Sequence, residues 1–444
     1  MRIIDEIEVD PARARIHEEG WQSWSPTSAY GVDESPLRPV SDRNRLLCYR
    51  PEVVPPTDRF WAEGLLAVEP GNGDPIRVYG TTDGVDTVES IEAEVRGSTV
   101  VVRSNGATEM ISDRSSPTVE AALARWADGY AERVGMGPVR PSPTIWCSWY
   151  TYFTSVTQAD MIENIEAIDR LDLAIDVVQL DDGYQRAHGD WLTLSDRFES
   201  LEAIVERIRA TGRRAGIWLA PFLVFPDSDL AARHPEWLLR SSEGEPVIAG
   251  HNWDRDCLVL DVTHPGAAAW LVDVCEAMTR IGFDFFKLDF LFAGALEGAR
   301  HVDMPGLVAY REAMKILRTA VSESYLLGCG APILPSVGLV DAMRVSPDTG
   351  WHDLPPDGDM SQPAVSSAMV TGRARAYQHG RWWVNDPDNL LVQPGVERRE
   401  EWAEHVRAVG GLRGSSDRIA NLDEWGMATT RELLVPSPME PFVD

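Results

Sequence analysis

The residues of this sequence best suited to chemistry are a lysine and an aspartate two positions apart, Lys287 and Asp289, in the stretch Asp284-Phe-Phe-Lys-Leu-Asp-Phe290. A short, apolar, aromatic run followed by Ala293-Gly294-Ala295 reads as a buried parallel strand and its loop. Strand periodicity puts Lys287 and Asp289 on one face and Phe286, Leu288 and Phe290 on the other. A charge buried alone is costly, whereas a lysine beside a carboxylate favours its ionised form. That suits a nucleophilic or charge-stabilising aspartate; a structural ion pair would look the same locally. Composition separates the two. The chain has only two lysines, Lys287 and Lys315, and its other 39 basic residues are arginine. Lysine is a compact point charge and arginine a planar fork, so a lysine used here points to chemistry or ligand contact.

Other reactive groups stand where further apolar segments end. They are Trp149, Tyr150 and Tyr152; Asp181-Asp182-Gly183-Tyr184; Trp218; Gly328-Cys329-Gly330; Arg344 and then Asp348; and Asn385-Asp386-Pro387-Asp388. Aromatics, carboxylates and a few cations in one cup suit a sugar, whose apolar faces stack and whose hydroxyls bind charged groups. Glycoside cleavage needs one ionised and one protonated carboxyl. Asp289 beside Lys287 fits the first. Asp348 follows a proline in an apolar setting near Trp351, and desolvation there would favour the protonated form. Adjacent carboxylates repel, so a turn at Gly183 does not by itself account for both Asp181 and Asp182. The histidines show no metal-ligand spacing. An aspartate-rich magnesium barrel is the alternative that Lys287 argues against, and no metal or cofactor is expected.

These groups need elements to hold them. Strand-like segments occur at 143–150, 175–180, 215–220, 283–288, 325–329, 341–345, 381–385 and, weakly, 412–414, with helical periodicity between most of them, as at 157–169, 200–211 and 401–410. Eight strand–helix units in about 290 residues predict a closed (β/α)8 TIM barrel of the α/β class, with chemistry at the carboxyl ends of its strands. An open doubly wound sheet is the alternative, weakened because neither Gly-x-Gly-x-x-Gly nor a Walker A loop is present. The segment near 258–262 reads as an insertion after the third strand. Residues 1 to about 116 read as a small β-rich domain, with strands at 75–79, 85–88 and 98–103. A helix over 118–134 and a Gly/Pro linker at 135–143 lead into the barrel. The expected division is therefore 1–137 and 138–444. Within the first part, Gly20-Trp-Gln-Ser-Trp-Ser-Pro26 places two tryptophans in a polar loop, for packing or for sugar stacking.

The chain has 444 residues, 44% hydrophobic, with 70 acidic against 41 basic residues and a net charge of −29. Such a surface repels phosphate, which argues against nucleic-acid binding. Its acidity and near absence of lysine suggest a protein built for concentrated salt. No apolar run is long enough to cross a membrane. The N-terminus carries acids early and does not read as a signal peptide. Five widely spaced cysteines form no disulfide framework, which makes a reducing cytoplasm the expected location.

Seven motifs, in order, resemble those of glycoside hydrolase family 36, the melibiases or α-galactosidases: Trp146-Cys-Ser-Trp-Tyr150, Gln179-Leu-Asp-Asp-Gly-Tyr184, Gly216-Ile-Trp-Leu-Ala-Pro221, Phe286 to Ala295, Leu327-Gly-Cys-Gly-Ala-Pro332, Met343-Arg-Val-Ser-Pro-Asp-Thr349 and Trp383-Val-Asn-Asp-Pro-Asp388. Trp21-Gln-Ser-Trp24 resembles a loop of that family's N-terminal β-domain that reaches the active site. The resemblance implies a retaining exo-α-galactosidase for a small oligosaccharide, with Asp289 as nucleophile and Asp348 as acid/base. It further implies that Asp181 and Asp182 hold galactose hydroxyls, with Trp218, Lys287, Arg344, Tyr150, Cys329 and Trp21 in the same subsite. An α-N-acetylgalactosaminidase or a raffinose-synthase-type galactosyl transferase would use the same barrel. A catalytically dead sugar-binding barrel would keep the fold without the chemistry. The first part is shorter than that family's usual β-domain. After the Pro436-Ser-Pro-Met-Glu-Pro441 stretch no C-terminal β-domain is expected.

Overall fold

The computed structural model describes residues 1–436 and 439–443, so Ser437 and Pro438 of the proline-rich stretch lie outside it. Eight parallel strands form one sheet: Ile145–Cys147, Val177–Leu180, Arg214–Leu219, Phe283–Leu288, Tyr325–Gly328, Ala342–Arg344, Val384–Asp386 and Gly414–Ser415. Each pairs with its sequence neighbour from the first to the seventh, and the eighth pairs with the first. The remaining seam, between the seventh and eighth, closes through Gly411 and Leu412, whose N–H groups both donate to Asn385 O at 2.9 Å. An isolated Leu390–Ser415 bridge lies beside it. The sheet is thus the (β/α)8 barrel expected from the strand count. Its strands read as continuous apolar runs because both faces are covered. Helices Gln158–Arg170 and Leu201–Ala210 begin where hydroxyl caps allow: Thr157 and Ser200 each accept from the N3 N–H, and Asp160 completes a capping box with Thr157.

After the third strand the chain makes a three-stranded antiparallel sheet from Leu223–Val224, Ile248–Asn252 and Arg255–Val259. This is the predicted insertion. The hairpin joining its last two strands turns through Trp253 and Asp254, at φ 50° and 57°.

Residues 2–113 form two further antiparallel sheets, of four and five strands. Strand Leu65–Glu69 shows how they pack. Leu66 and Val68 face the core between the two sheets, with Ile7, Phe60 and Val102. Leu65 and Ala67 face the other way and join Leu123, Trp126 and Tyr130 of helix Val119–Arg133 in a core continuous with the barrel. The expected strand at 85–88 is a loop. Asp83 accepts from Val85 N and Asp86 N, Gly84 is at φ 72°, and only Val88 is sunk into the core. A cap and a glycine outweigh β-branched propensity there.

Candidate active site

A cavity of about 470 Å³ opens at the carboxyl ends of the barrel strands. Asp181, Asp182, Trp218, Lys287, Asp289 and Asp348 all line it, each delivered by the loop or strand end expected. Local sequence explains the delivery. Gly183 follows the two aspartates at φ 120°, and a Cβ there would lie 2.7 Å from Thr154 O, so the turn after the second strand requires glycine.

One detail of the fourth strand differs from the period-two expectation. The strand ends at Leu288, and Phe290 adopts a left-handed conformation at φ 52°. That turn brings Phe290 into the cavity lining beside Asp289, away from the face it would share with Phe286 and Leu288.

Lys287 also has a different direct partner. Its Nζ donates to Asp181 Oδ2 at 3.0 Å, not to Asp289. Gln179 Nε2 donates to the same oxygen at 2.7 Å, and Cys147 Sγ lies 3.3 Å from it. Burial raises the Asp181 carboxyl above its usual range while Lys287 pulls the other way. Asp181 and Asp289 outweigh burial at Lys287 and hold it charged. Asp289 accepts from Trp218 Nε1 and from Phe290 N, both at 2.9 Å. Two N–H donors on one carboxylate fix its aim.

Asp182 accepts on Oδ1 from Gln185 Nε2 at 2.5 Å, with His188 Nε2 3.4 Å away. Its Oδ2 is buried and has no partner among the described residues. An orphaned buried carboxylate oxygen in a cavity wall is costly unless a ligand hydroxyl meets it.

Asp348 sits in a crowd of carboxylates around one cation. Arg344 contacts Asp348 Oδ1 at 3.0 Å, Asp386 Oδ2 at 3.1 Å and Asp388 Oδ1 at 2.8 Å. Desolvation, then the charge of Asp388, pushes the Asp348 carboxyl up to about 7 against the pull of Arg344. Its side chain keeps 27% of its surface open to the cavity, enough to meet a substrate. Asp386 is raised for the same first reason, burial.

Four of the sequence candidates stand behind the wall instead of lining it. Arg344 is spent on its three carboxylates. The Tyr150 hydroxyl donates to Asp388. Cys329 is fully buried. Trp21 packs edge-on to Phe292 at 6.2 Å, and its neighbour Trp24 takes the cavity position. Trp24 lies over Gly330, at φ 55°, where a Cβ would come within 3.0 Å of its ring.

The Trp21–Trp24 loop reaches the barrel through backbone bonds, Ser23 N to Ala331 O and Ile333 N to Trp21 O, both 3.0 Å. Arg375, fully buried, clamps it from beneath by donating to Glu19 Oε1 at 2.7 Å and to the carbonyls of Gln22, Ser23 and Val345. Burial alone would raise the Glu19 carboxyl; Arg375 first, with His17 beside it, overcomes this and holds it at about 2.

Sequence reasoning missed Trp253, Asn252, Asp254, Arg43 and Trp149 in the lining. Trp149 stands at the end of the first strand-like segment, and its place in the wall follows only from the fold. The others come from outside the barrel strands, where strand-end reading cannot find them. Among the described residues no group of three or more His, Cys, Asp or Glu is arranged to hold a metal ion. No described helix is long and apolar enough to cross a membrane.

A family model for melibiases matches residues 138–297, the segment that carries the first four barrel strands. The α-galactosidase TtGalA of Thermus thermophilus, solved with stachyose, superposes with a TM-score of 0.81 at 29% identity, covering 97% of this chain and 92% of that one. The family 36 α-galactosidase AgaA of Geobacillus stearothermophilus shares the fold at a TM-score of 0.64 and 15% identity, over 97% of this chain and 61% of its own. Among curated proteins, the bifunctional α-galactosidase/sucrose kinase AgaSK of Mediterraneibacter gnavus is 29% identical over 126 residues, 26% of this chain and 13% of the relative's length. In sequence the chain is thus similar to melibiases through its first four barrel strands, and in fold, over nearly its whole length, to a 29% identical α-galactosidase.

Proposed function

We propose that this chain is a retaining exo-α-galactosidase that hydrolyses terminal α-D-galactosides of the melibiose and raffinose type, with residues 138–444 as its catalytic barrel. The observation that carries the reading is the pair of carboxyls in one cavity. Asp289 accepts two N–H bonds, and Asp348 is pushed up to about 7. In the first step an Asp289 oxygen bonds to the anomeric carbon as the glycosidic C–O bond breaks, and Asp348 gives its proton to the departing oxygen. In the second, Asp348 takes a proton from water, whose oxygen bonds to the anomeric carbon and frees Asp289. Asp181 and Asp182 hold the galactose hydroxyls, the axial one included. Lys287 adds a fixed positive charge beside them and Trp218 an aromatic face. Arg344, Tyr150, Cys329 and Trp21 support this wall from behind. TtGalA has also been solved with p-nitrophenyl α-D-galactopyranoside, which supports the same substrate class here.

The test is release of p-nitrophenol from that galactoside, with the α-glucoside and the α-N-acetylgalactosaminide alongside and the first sugar anomer read by NMR. Preference for the galactoside and α-galactose as first product are expected. A β-anomer would overturn retention, and inertness toward all three would overturn the function. Asp289→Asn should lower turnover by about 10³-fold or more with galactose binding kept; unchanged turnover sinks the nucleophile.

The acidic surface and the five free, buried cysteines extend the proposal to a cytoplasmic protein adapted to concentrated salt. Near-UV circular dichroism should weaken on dialysis to dilute buffer, where self-repulsion is unscreened. An unchanged spectrum argues against salt adaptation.

A further inference from the structure

The cavity has two chemically distinct zones. Its floor holds the carboxylates and Lys287. Its mouth is aromatic, with Trp24, Trp149, Phe290 and Trp253. At about 470 Å³ it is larger than one hexose requires and falls among sites that take drug-sized ligands.

The hairpin tip Asn252–Arg255 forms one side of the mouth. Consecutive left-handed residues make a turn of the kind usually built from Asn-Gly. Here a tryptophan and an aspartate hold it, at φ 50° and 57°. Non-glycine residues in that region are strained, and such strain collects at ligand clamps. Two neighbours keep the tip in place. Arg43 Nε donates to His251 O at 3.1 Å, and Leu47 fills the space beside Gly250, where a Cβ would lie 2.9 Å from it. The Trp253 ring rests against Phe290 at 5.1 Å and His188 at 4.3 Å, half-buried. Phe290 follows Asp289 directly, so this ledge begins one residue from the reacting carboxylate. The side chains of Asn252 and Asp254 make no hydrogen bond or ion pair among the described residues, and Arg43 donates only through Nε.

We propose that the hairpin tip, Asn252-Trp253-Asp254, with Arg43 beside it, binds the leaving-group sugar of an oligosaccharide substrate. This rests on the α-galactosidase reading. Trp253 supplies the stacking face, and the open amide, carboxylate and guanidinium groups meet hydroxyls on the ring edge. The tip therefore sets preference for sugar over non-sugar leaving groups.

The experiment compares α-galactosyl fluoride, whose leaving group is too small to touch the tip, with a raffinose-type trisaccharide. For Trp253→Ala, kcat/KM on the trisaccharide should fall about tenfold further than on the fluoride, mainly through KM. Trp253→Phe should restore most of the difference. An equal fall on both substrates would show that Trp253 acts on the galactose floor through His188, and would overturn the proposal; so would no fall on either. If Trp253→Ala does not fold, the pair Asn252→Ala and Asp254→Ala, half-buried and exposed, decides, with a split of about threefold expected and no split overturning it. A native chain inert toward both substrates would instead sink the underlying galactosidase reading.

Discussion

Two arginines are buried side by side in sequence logic but opposite in effect. Arg375 faces one carboxylate, Glu19, and a shell of backbone carbonyls. Arg344 faces three carboxylates, Asp348, Asp386 and Asp388. Around Arg375 the charges balance, and Glu19 is held down at about 2 despite its burial. Around Arg344 negative charge is in excess, and a proton settles there near neutrality, on Asp348 at about 7. The same residue type thus holds one carboxyl down in one place and leaves another raised in the other. The number of carboxylates it must satisfy decides which.

The largest expected effect tests the acid side. Asp348→Asn should lower kcat on an unactivated galactoside by about 10²–10⁴-fold. The loss should shrink on galactosyl fluoride, which leaves without a proton. Equal losses on both would make Asp348 a structural member of the Arg344 cluster and dissolve the contrast.

The clamp side is tested by Arg375→Met. Stranding Glu19 in a buried site should cost about 3–5 kcal/mol of stability, read by chemical denaturation. The folded fraction should keep its pH profile; an altered profile would mean that the clamp also tunes the acid.

Acid stability sharpens the comparison. Glu19 falls from an ordinary 4.5 to about 2 in the folded chain. Its contribution, about 3 kcal/mol, is present above pH 4.5 and lost as pH falls toward 2. The raised carboxyl of Asp348 has the opposite sign. Its contribution is present below its ordinary 3.8 and is lost as pH rises toward about 7. Glu19→Gln should fall below the native protein in denaturation midpoint above pH 4.5, whereas Asp348→Asn, which mimics the protonated acid, should gain on it as pH rises toward about 7.

The smallest effect is the finest. Asp388→Asn removes the neighbour whose charge helps hold the Asp348 proton. The alkaline limb of kcat/KM, expected near pH 7, should move down by about one unit. An upward shift would mean that the loss of the Arg344–Asp388 contact outweighs the loss of repulsion.

The barrel was largely legible because its strands are apolar on both faces and its reactive residues stand at their ends. The six residues of the cavity floor were read from that rule together with paired-charge chemistry. What was not legible depended on geometry that a local pattern does not encode. Lys287 and Asp289 are neighbours by strand period, yet the lysine reaches across to the second strand. Phe290 escapes its expected face through a left-handed backbone that no glycine announces. Trp21 and Trp24 are equivalent in sequence, and only the approach of Gly330 shows which one meets the cavity. Asn-Trp-Asp-Arg carries no ordinary turn signal, so the tip at 252–255 gave no warning of its place.

The loop of residues 20–25, bonded to Ala331 and Ile333 and clamped by Arg375, means that the pocket is encoded at two distant positions in the gene. Recombination that exchanges the barrel alone would inherit the cavity carboxylates and lose one wall around them. Conversely, exchanging the first fifty codons between relatives would rebuild one wall of the cavity with Asp181, Asp182, Asp289 and Asp348 untouched.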